Sequence, residues 1–259
     1  MEPVQPSIER GSNGSRYQHK SLHRSSNLGL RLLKVLPSRL DGLIQVELWQ
    51  SNGVTEYRCL SYMCGEPSDD HEISLEGCIF FVRKNLYGFL ELASERYPEE
   101  PLWIDALSID QSNDAEKAGE VRRMNVIYTG AAEVLVWLGV MDLPRAAIRW
   151  VTEQDAVEPS SLVVNTFNAV GSMDYWNRTW VTQEILLAKQ LTILIGRHSF
   201  HWTDFGPPAL RALGTLSSLY QLAFFWQRWT YTQSKHVDGS TCNVRVRNDM
   251  TLPFWDLFS

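Results

Sequence analysis

Glu184 is the residue whose setting most asks for a chemical explanation. It lies in YWNRTWVTQEILLAKQ (175–190), a stretch that reads as one helix. Wound at about 100° per residue, the polar side chains Arg178, Thr182 and Lys189 fall on one stripe. Glu184 falls on the other side, one turn after Trp180 and bracketed by Val181, Leu187 and Ala188. A carboxylate turned to the apolar side has two explanations. It is structural, binding backbone N–H groups or an arginine such as Arg178, or it is held for a ligand, with Trp180 available to stack on a ring. The helix pattern alone favours the structural explanation, because structural ion pairs imitate functional ones.

Other residues pose the same choice. Asp105 stands at the end of a short buried strand, where it contacts a ligand or caps the next turn. Tyr62 and Gly65 close an earlier strand, and glycine there permits close backbone approach of a ligand as well as a simple turn. Asp110 and Gln111 read as the start of a loop and helix cap. His198 and His201 form HxxH without companion ligands, so a metal site is not expected. Cys59 and Cys64 have no base nearby in sequence, which leaves a nucleophilic role unsupported. Walker A and GxGxxG patterns are absent, which argues against a standard nucleotide-binding loop and leaves no cofactor indicated.

The elements that must position these groups alternate. LGLRLLKVL and LIQVELWQ read as two strands separated by a turn region at Pro37–Gly42, and EYRCLSYMCG as a third. EPSDDHE is a polar loop, and EISLEGCIFFV a hairpin turning at Glu76–Gly77. Asn85 is placed to cap a helix whose Leu86, Phe89, Leu90 and Ala93 form an apolar stripe. PLWIDALSID is a short buried strand. Asn113 with Glu116 resembles a capping box, opening a helix with Val121, Met124, Tyr128 and Ala131 on its inner face. EVLVWLG is almost wholly apolar, as expected where both faces of a parallel sheet are covered. A helix (LPRAAIRWVTEQ), a variable stretch, the Glu184 helix and the strand LTILIG follow. The order predicts a doubly wound α/β sheet, whose ligands bind beyond the C-terminal strand ends.

Composition bounds the function. At 259 residues the chain suffices for one large core or two small domains, and 44% hydrophobic with 21% charged residues is ordinary for a globular protein. A net charge of −6 does not point to nucleic-acid binding. Four cysteines without CxxC spacing fit neither zinc nor a disulfide framework. With no N-terminal apolar segment and no long apolar run, a membrane span is not expected, and a cytoplasmic location is. Residues 1–27 read as a disordered, mildly basic tail. Residues 206–259 read as a C-terminal helical extension containing LSSLYQLAFFWQRW, ending in TLPFWDLFS without a stop signal.

Five blocks, YRCLSYMCG, KNLYGFL, LWIDALSIDQ, EKAGEVRRMNVIYTGAAEVLVWLG and RTWVTQEILLA, occur in the order and approximate spacing of the fungal heterokaryon-incompatibility (HET) domain. Over residues 28–205 the chain resembles that family. The family pattern has tryptophan at Cys64, cysteine at Ser108, asparagine at Asp110 and glutamine at Glu120, which bears on local details of any pocket. The resemblance implies a role in fungal self/non-self recognition and the cell death that follows.

HET domains in turn resemble TIR domains, which implies a TIR-like (flavodoxin-like) doubly wound, mainly parallel sheet with added N-terminal strands. LSYMCG is similar to the TIR opening strand FLSFRG, LWIDALSID to the second strand and EVLVWLG to the third. TWVTQEI is similar to the SxWCxxEL helix, which places Trp180 and Glu184 on its tryptophan and catalytic glutamate. TIR enzymes cleave the nicotinamide–ribose bond of NAD. The pyridinium departs neutral, so the chemistry asks chiefly for an anion beside the ribose to hold hydroxyls and meet oxocarbenium charge. The resemblance therefore implies an NAD glycohydrolase, with NAD or a related nucleotide as substrate. Glu184 is the catalytic candidate and Trp180, Tyr62, Gly65, Asp105 and Arg178 are candidates for binding. Self-association and an upstream recognition protein are the implied partners. A non-catalytic signalling module that recruits a partner is the alternative.

Overall fold

The chain first lays down a hairpin. β1 (Arg31–Leu40) and β2 (Leu43–Gln50) pair antiparallel across a two-residue turn. Asp41 and Gly42 both have positive φ, 52° and 82°, the geometry that matches the natural twist of paired strands. β1 runs through Pro37, where a turn was expected. The register slips between Val35 and Arg39, and a bulge is where a strand accommodates a residue without an N–H.

β3 (Arg58–Tyr62) follows, then the expected hairpin of β4 (Asp70–Leu75) and β5 (Cys78–Arg83), turning at Glu76–Gly77. β4 takes in Asp70, His71 and Glu72 of the predicted polar loop. α1 (Lys84–Arg96) buries Leu86, Phe89, Leu90 and Ala93 as expected. Asn85 does not cap it. Arg83 holds the cap position, and the Asn85 amide donates to the Met63 carbonyl at 2.6 Å.

The predicted strand at Leu102 is only two residues long, β6 (Leu102–Trp103), and gives way to the short α2 (Asp105–Ser108). Asn113 caps α3 (Asp114–Gly130) by accepting from the Ala115 and Glu116 N–H groups, each at 3.1 Å. Glu116 does not close a capping box. Its carboxylate turns to Arg31 and the Asp110 N–H instead. Met124, Tyr128 and Ala131 are buried, but Val121 is exposed; the helix turns Glu120 and Ile127 inward in its place.

β7 (Glu133–Trp137), α4 (Arg145–Thr152) and α5 (Ser161–Gly171) come next, α5 lying in the stretch for which no element was predicted. A 3₁₀ turn (Asp174–Asn177) and α6 (Val181–Leu186) precede β8 (Leu191–Ile195). β9 (His198–His201), α7 (Trp202–Leu213) and α8 (Tyr220–Val237) complete the elements. This computed structural model describes residues 17–20, 22, 29–51, 53–65, 70–153, 158–213 and 220–237. Within the stretch expected to be a disordered tail, the Tyr17 ring meets Phe80 edge-on, and a His19 ring nitrogen lies 2.8 Å from the Leu107 carbonyl. TLPFWDLFS lies outside the described residues.

The strands form one nine-stranded sheet in the order β5-β4-β2-β1-β6-β3-β7-β8-β9. β6, β3, β7 and β8 are parallel neighbours, as predicted for the strands near 58–63, 102–105 and 134–138. The sheet as a whole is mixed rather than mainly parallel, because β1 joins β6 antiparallel and hairpins flank the block on both sides.

Alternate residues of the central strands feed two cores. Leu60, Leu102, Leu135 and Leu194 pack with Leu86, Phe89 and Leu90 of α1. Cys59, Val134, Val136 and Ile193 pack with residues of α3, α5, α6, α7 and α8. With both faces covered, β3 and β7 are buried at every position after their first residue, and the apolar run VLVW of β7 made that strand legible. α8 is tied to the end of α6: Trp229 Nε1 and Gln233 Nε2 both donate to the Ala188 carbonyl, at 3.2 and 2.9 Å.

Candidate functional site

The stretch 175–190 is not one helix. Tyr175 and Trp176 sit buried in the 3₁₀ turn, with Trp176 Nε1 donating to the Val170 carbonyl at 2.8 Å. Arg178 is then extended (φ −71°, ψ 135°), and α6 begins only at Val181. This break changes the geometry of the site. Arg178 does not point away from Glu184 on an opposite stripe; its Nη1 lies 3.4 Å from Glu184 Oε2.

Glu184 is 2% exposed. Besides Arg178, its carboxylate accepts a hydrogen bond from the Ser61 hydroxyl. Ser61 Oγ also lies 2.5 Å from the Tyr175 hydroxyl, and the Arg178 guanidinium stands 5.9 Å from the centre of the Tyr175 ring. Ser61 is the second-last residue of β3. The strand's alternation puts it on the same face as Cys59, toward the α3 and α6 side, and so delivers a hydroxyl to α6 near the C-terminal end of a central parallel strand.

Asp105 belongs to the same electrostatic neighbourhood, acting on both Glu184 and Arg178. Its Oδ1 accepts from the Ala106 N–H at 2.7 Å, and the Tyr62 side chain is close enough to act on its charge. Burial pushes the Glu184 carboxyl above its ordinary range; Asp105 adds to this, while Arg178 and the Ser61 hydroxyl oppose it. Burial likewise raises Asp105, against the Ala106 N–H, Arg178 and Tyr62. Burial works against the charge of Arg178, but Glu184, Tyr175 and Asp105 together hold its pKa above the ordinary value. The result is two carboxyls whose neutral forms the fold favours, of which Glu184 is paired with Arg178.

The structure therefore brings Glu184, Arg178, Asp105 and Tyr62 into one cluster. Trp180 and Gly65 are not part of its hydrogen-bonded core. Trp180 occupies the N-terminal boundary of α6 with its side chain 43% exposed, so it stands at the surface beside the carboxylate. Gly65 has φ +76°, a conformation that favours glycine, and its carbonyl accepts from the Arg83 side chain at 2.6 Å. Asp110 binds the Ser112 hydroxyl and N–H within its loop, and Gln111 donates to the Asp105 carbonyl at 3.0 Å. Among the described residues no group of three His, Cys, Asp or Glu is placed to hold a metal ion.

Ser61 and Tyr175 are the members that sequence reasoning missed. A serine within the otherwise apolar run CLSY was the available signal, since a buried hydroxyl needs a partner. The departures from the family pattern fall nearby. Cys64 is exposed, with Sγ 3.8 Å from the Tyr62 hydroxyl, and the buried Ser108 accepts from the Ile104 N–H. Two open cavities lie elsewhere: one of about 430 Å³ over β1, β2 and β4, and one of about 650 Å³ bordered by Leu30, Tyr57, Arg123 and Gly130.

Fold and cluster together define an α/β domain in which a parallel block carries a buried glutamate, with the half-buried Asp105 in its electrostatic neighbourhood, beside the C-terminal end of its central strand. Residues 57–184 match the family described as Heterokaryon incompatibility protein (HET), which identifies this stretch of the chain as a HET domain. The matched segment contains Tyr62, Gly65, Asp105, Arg178, Trp180 and, at its last position, Glu184. Over 96 residues the chain is 38% identical to heterokaryon incompatibility protein 6, OR allele, of Neurospora crassa. That match covers 32% of this chain and 14% of the relative's length. No solved structure matches the chain. Among the described residues no helix is long and apolar enough to cross a membrane.

Proposed function

We propose that this chain acts in fungal self/non-self recognition leading to cell death, and that its Glu184 cluster is a TIR-like NAD glycohydrolase site. In chain order the parallel block reads second, first, third, fourth, which is the order of a flavodoxin-like sheet. Ligands of such sheets bind outside the carboxyl ends of the strands, where the order reverses. The observation that carries the reading is Glu184 itself: a carboxylate anchored on Ser61 beside that end of the central strand and paired with Arg178, whose side chain is 25% exposed.

In the reaction, the C–N bond between ribose and nicotinamide breaks and its electron pair leaves on neutral nicotinamide. Water forms the new C–O bond and releases a proton to solvent. Glu184, freed from Arg178 by a displacement of the guanidinium, holds the ribose hydroxyls and meets the oxocarbenium charge. Asp105 and Tyr62 line the neighbouring strand ends. The near-complete burial of Glu184 favours the second reading, a non-catalytic module in which the same pair braces α6 against β3 for assembly with a partner.

The experiment that separates them follows nicotinamide release from NAD by the purified chain, dilute and after forced clustering. Release that rises per molecule on clustering and is lost in a folded Glu184→Gln variant supports the site. A clustered, folded protein that releases none, or a Glu184→Gln variant as active as wild type, overturns it.

A further inference from the structure

We propose that the β5 edge of the sheet is a self-association surface, pairing antiparallel with β5 of a second copy of this chain. It is independent of the catalytic reading. β5 (CIFFVR) is a terminal strand of the nine. Its inner side is bonded to β4 in unbroken register from Asp70–Arg83 to Leu75–Cys78. Its outer N–H and C=O groups face no strand among the described residues. Natural edges are blunted with charge, proline or a bulge; β5 carries none of these before Arg83.

Its side chains are equally unguarded. Ile79 and Phe81 alternate onto one face and are 55% and 57% exposed, while the intervening Phe80 is partly buried and meets Tyr17 on the other face. The Ile79 row continues through Ser74 and Gln45, and both residues line the open groove of about 430 Å³. An apolar stripe at a bare edge, continuous with an open groove, is a surface that gains from being covered.

The strand's own sequence specifies the occupant. Pairing β5 with itself antiparallel about Phe80 sets Ile79 opposite Phe81 of the second copy, and Phe81 opposite its Ile79. These are β-branched–aromatic cross-strand pairs, made twice by the two-fold axis. Just beyond the paired strands, the same register brings Lys84, the first residue of α1, to the end where Glu76 stands in the β4–β5 turn of the second copy, and the converse at the other end. Opposite charges thus close both ends of the ladder. A closed, isologous pair also ends association at two copies.

Analytical ultracentrifugation of the full chain over a concentration series tests the proposal. Wild type is expected to pass from 29.7 kDa to twice that mass. Phe81→Lys and Ile79→Lys, both exposed and so expected to melt as wild type, raise the dissociation constant about tenfold or more, because each change enters the interface twice. Phe81→Thr, which keeps strand propensity, serves if a lysine variant fails to fold. With Cys64, Cys78 and Cys242 exchanged for serine, a mixture of Ile79→Cys and Phe81→Cys chains should form interchain disulfides faster than either alone. Wild type that stays monomeric to its solubility limit, a dimer indifferent to all three edge variants, or equal cross-linking in the mixture and the single variants overturns the proposal.

Discussion

Glu184→Gln keeps the shape of the side chain and removes its charge, and the structure says what that should do to stability. The carboxylate has two recognised partners, the Ser61 hydroxyl and Arg178 Nη1 at 3.4 Å. The amide oxygen still accepts from Ser61. Arg178 loses its carboxylate, but with a quarter of its side chain in water and Asp105 nearby it does not become a buried unpaired charge. Against that loss stands the relief of burial. Because burial and Asp105 together outweigh Arg178 and Ser61, the carboxyl already sits above its ordinary range, and the neutral form is what the fold prefers. The substitution should therefore shift stability by about 1 kcal/mol or less, where breaking a true buried pair costs about 3–5 kcal/mol. For a chain of this size 1 kcal/mol moves the melting temperature by about 2–4 °C.

Tryptophan fluorescence melting decides the matter. A melting point within about 4 °C of wild type is expected, and a fall of about 10 °C or more would refute the reasoning. If the carboxylate also meets a developing cation, the same variant loses about 3–4 kcal/mol of transition-state stabilisation, a few hundredfold in rate. Stability and turnover then separate in one protein. A variant that unfolds readily would make Glu184 a strut.

The pH dependence has a fixed sign. A carboxyl held above its ordinary value adds stability that is fully present below that value and is lost as pH rises through the folded-state pKa. Stability of Glu184→Gln minus that of wild type, measured by denaturant titration from acid to neutral pH, should rise with pH, and a difference that falls contradicts the assignment. Glu116→Ala strips the partner from Arg31, whose side chain is 5% exposed and paired at 2.7 Å; a loss of about 3–5 kcal/mol is expected by denaturant titration. Glu153→Ala, which breaks the exposed Arg149 pair one helical turn apart, should leave the melting point unchanged. Gly196→Ala forces φ +53° on alanine and drives its Cβ into the Met141 carbonyl oxygen, so the melting transition should fall by more than the equivalent of about 1 kcal/mol; a wild-type melt would mean that the turn is not held there.

How far this was legible from sequence depends on the range over which each feature is set. β3 and β7 announce themselves because both faces are covered, so Cys59, Leu60 and Tyr62 in one and Val134 to Trp137 in the other are buried without alternation. The inward direction of Glu184 was legible for a related reason: of the residues bracketing it, Val181 and Ala188 are buried and Leu187 half-buried. Its partners were not. A helical wheel assumes an unbroken helix, and on that assumption Arg178 points away. The break before α6 is set by contacts that the wheel does not contain, Trp176 on the Val170 carbonyl and Tyr175 beside Ser61. Ser61 is 123 residues from Glu184 in the chain, and only the strand order brings the two together. The same distinction bears on Trp180. One turn before Glu184 on the sequence it looks like a wall of the pocket, yet as a boundary residue of α6 it stays 43% exposed, able to meet a ligand only from outside. If displacement of Arg178 is the step that opens the site, Arg178→Ala should bare the carboxylate and weaken its neutralisation together, raising the pH at which activity switches on. A profile with an unchanged midpoint would mean that Arg178 does not govern the charge of Glu184 in the working state.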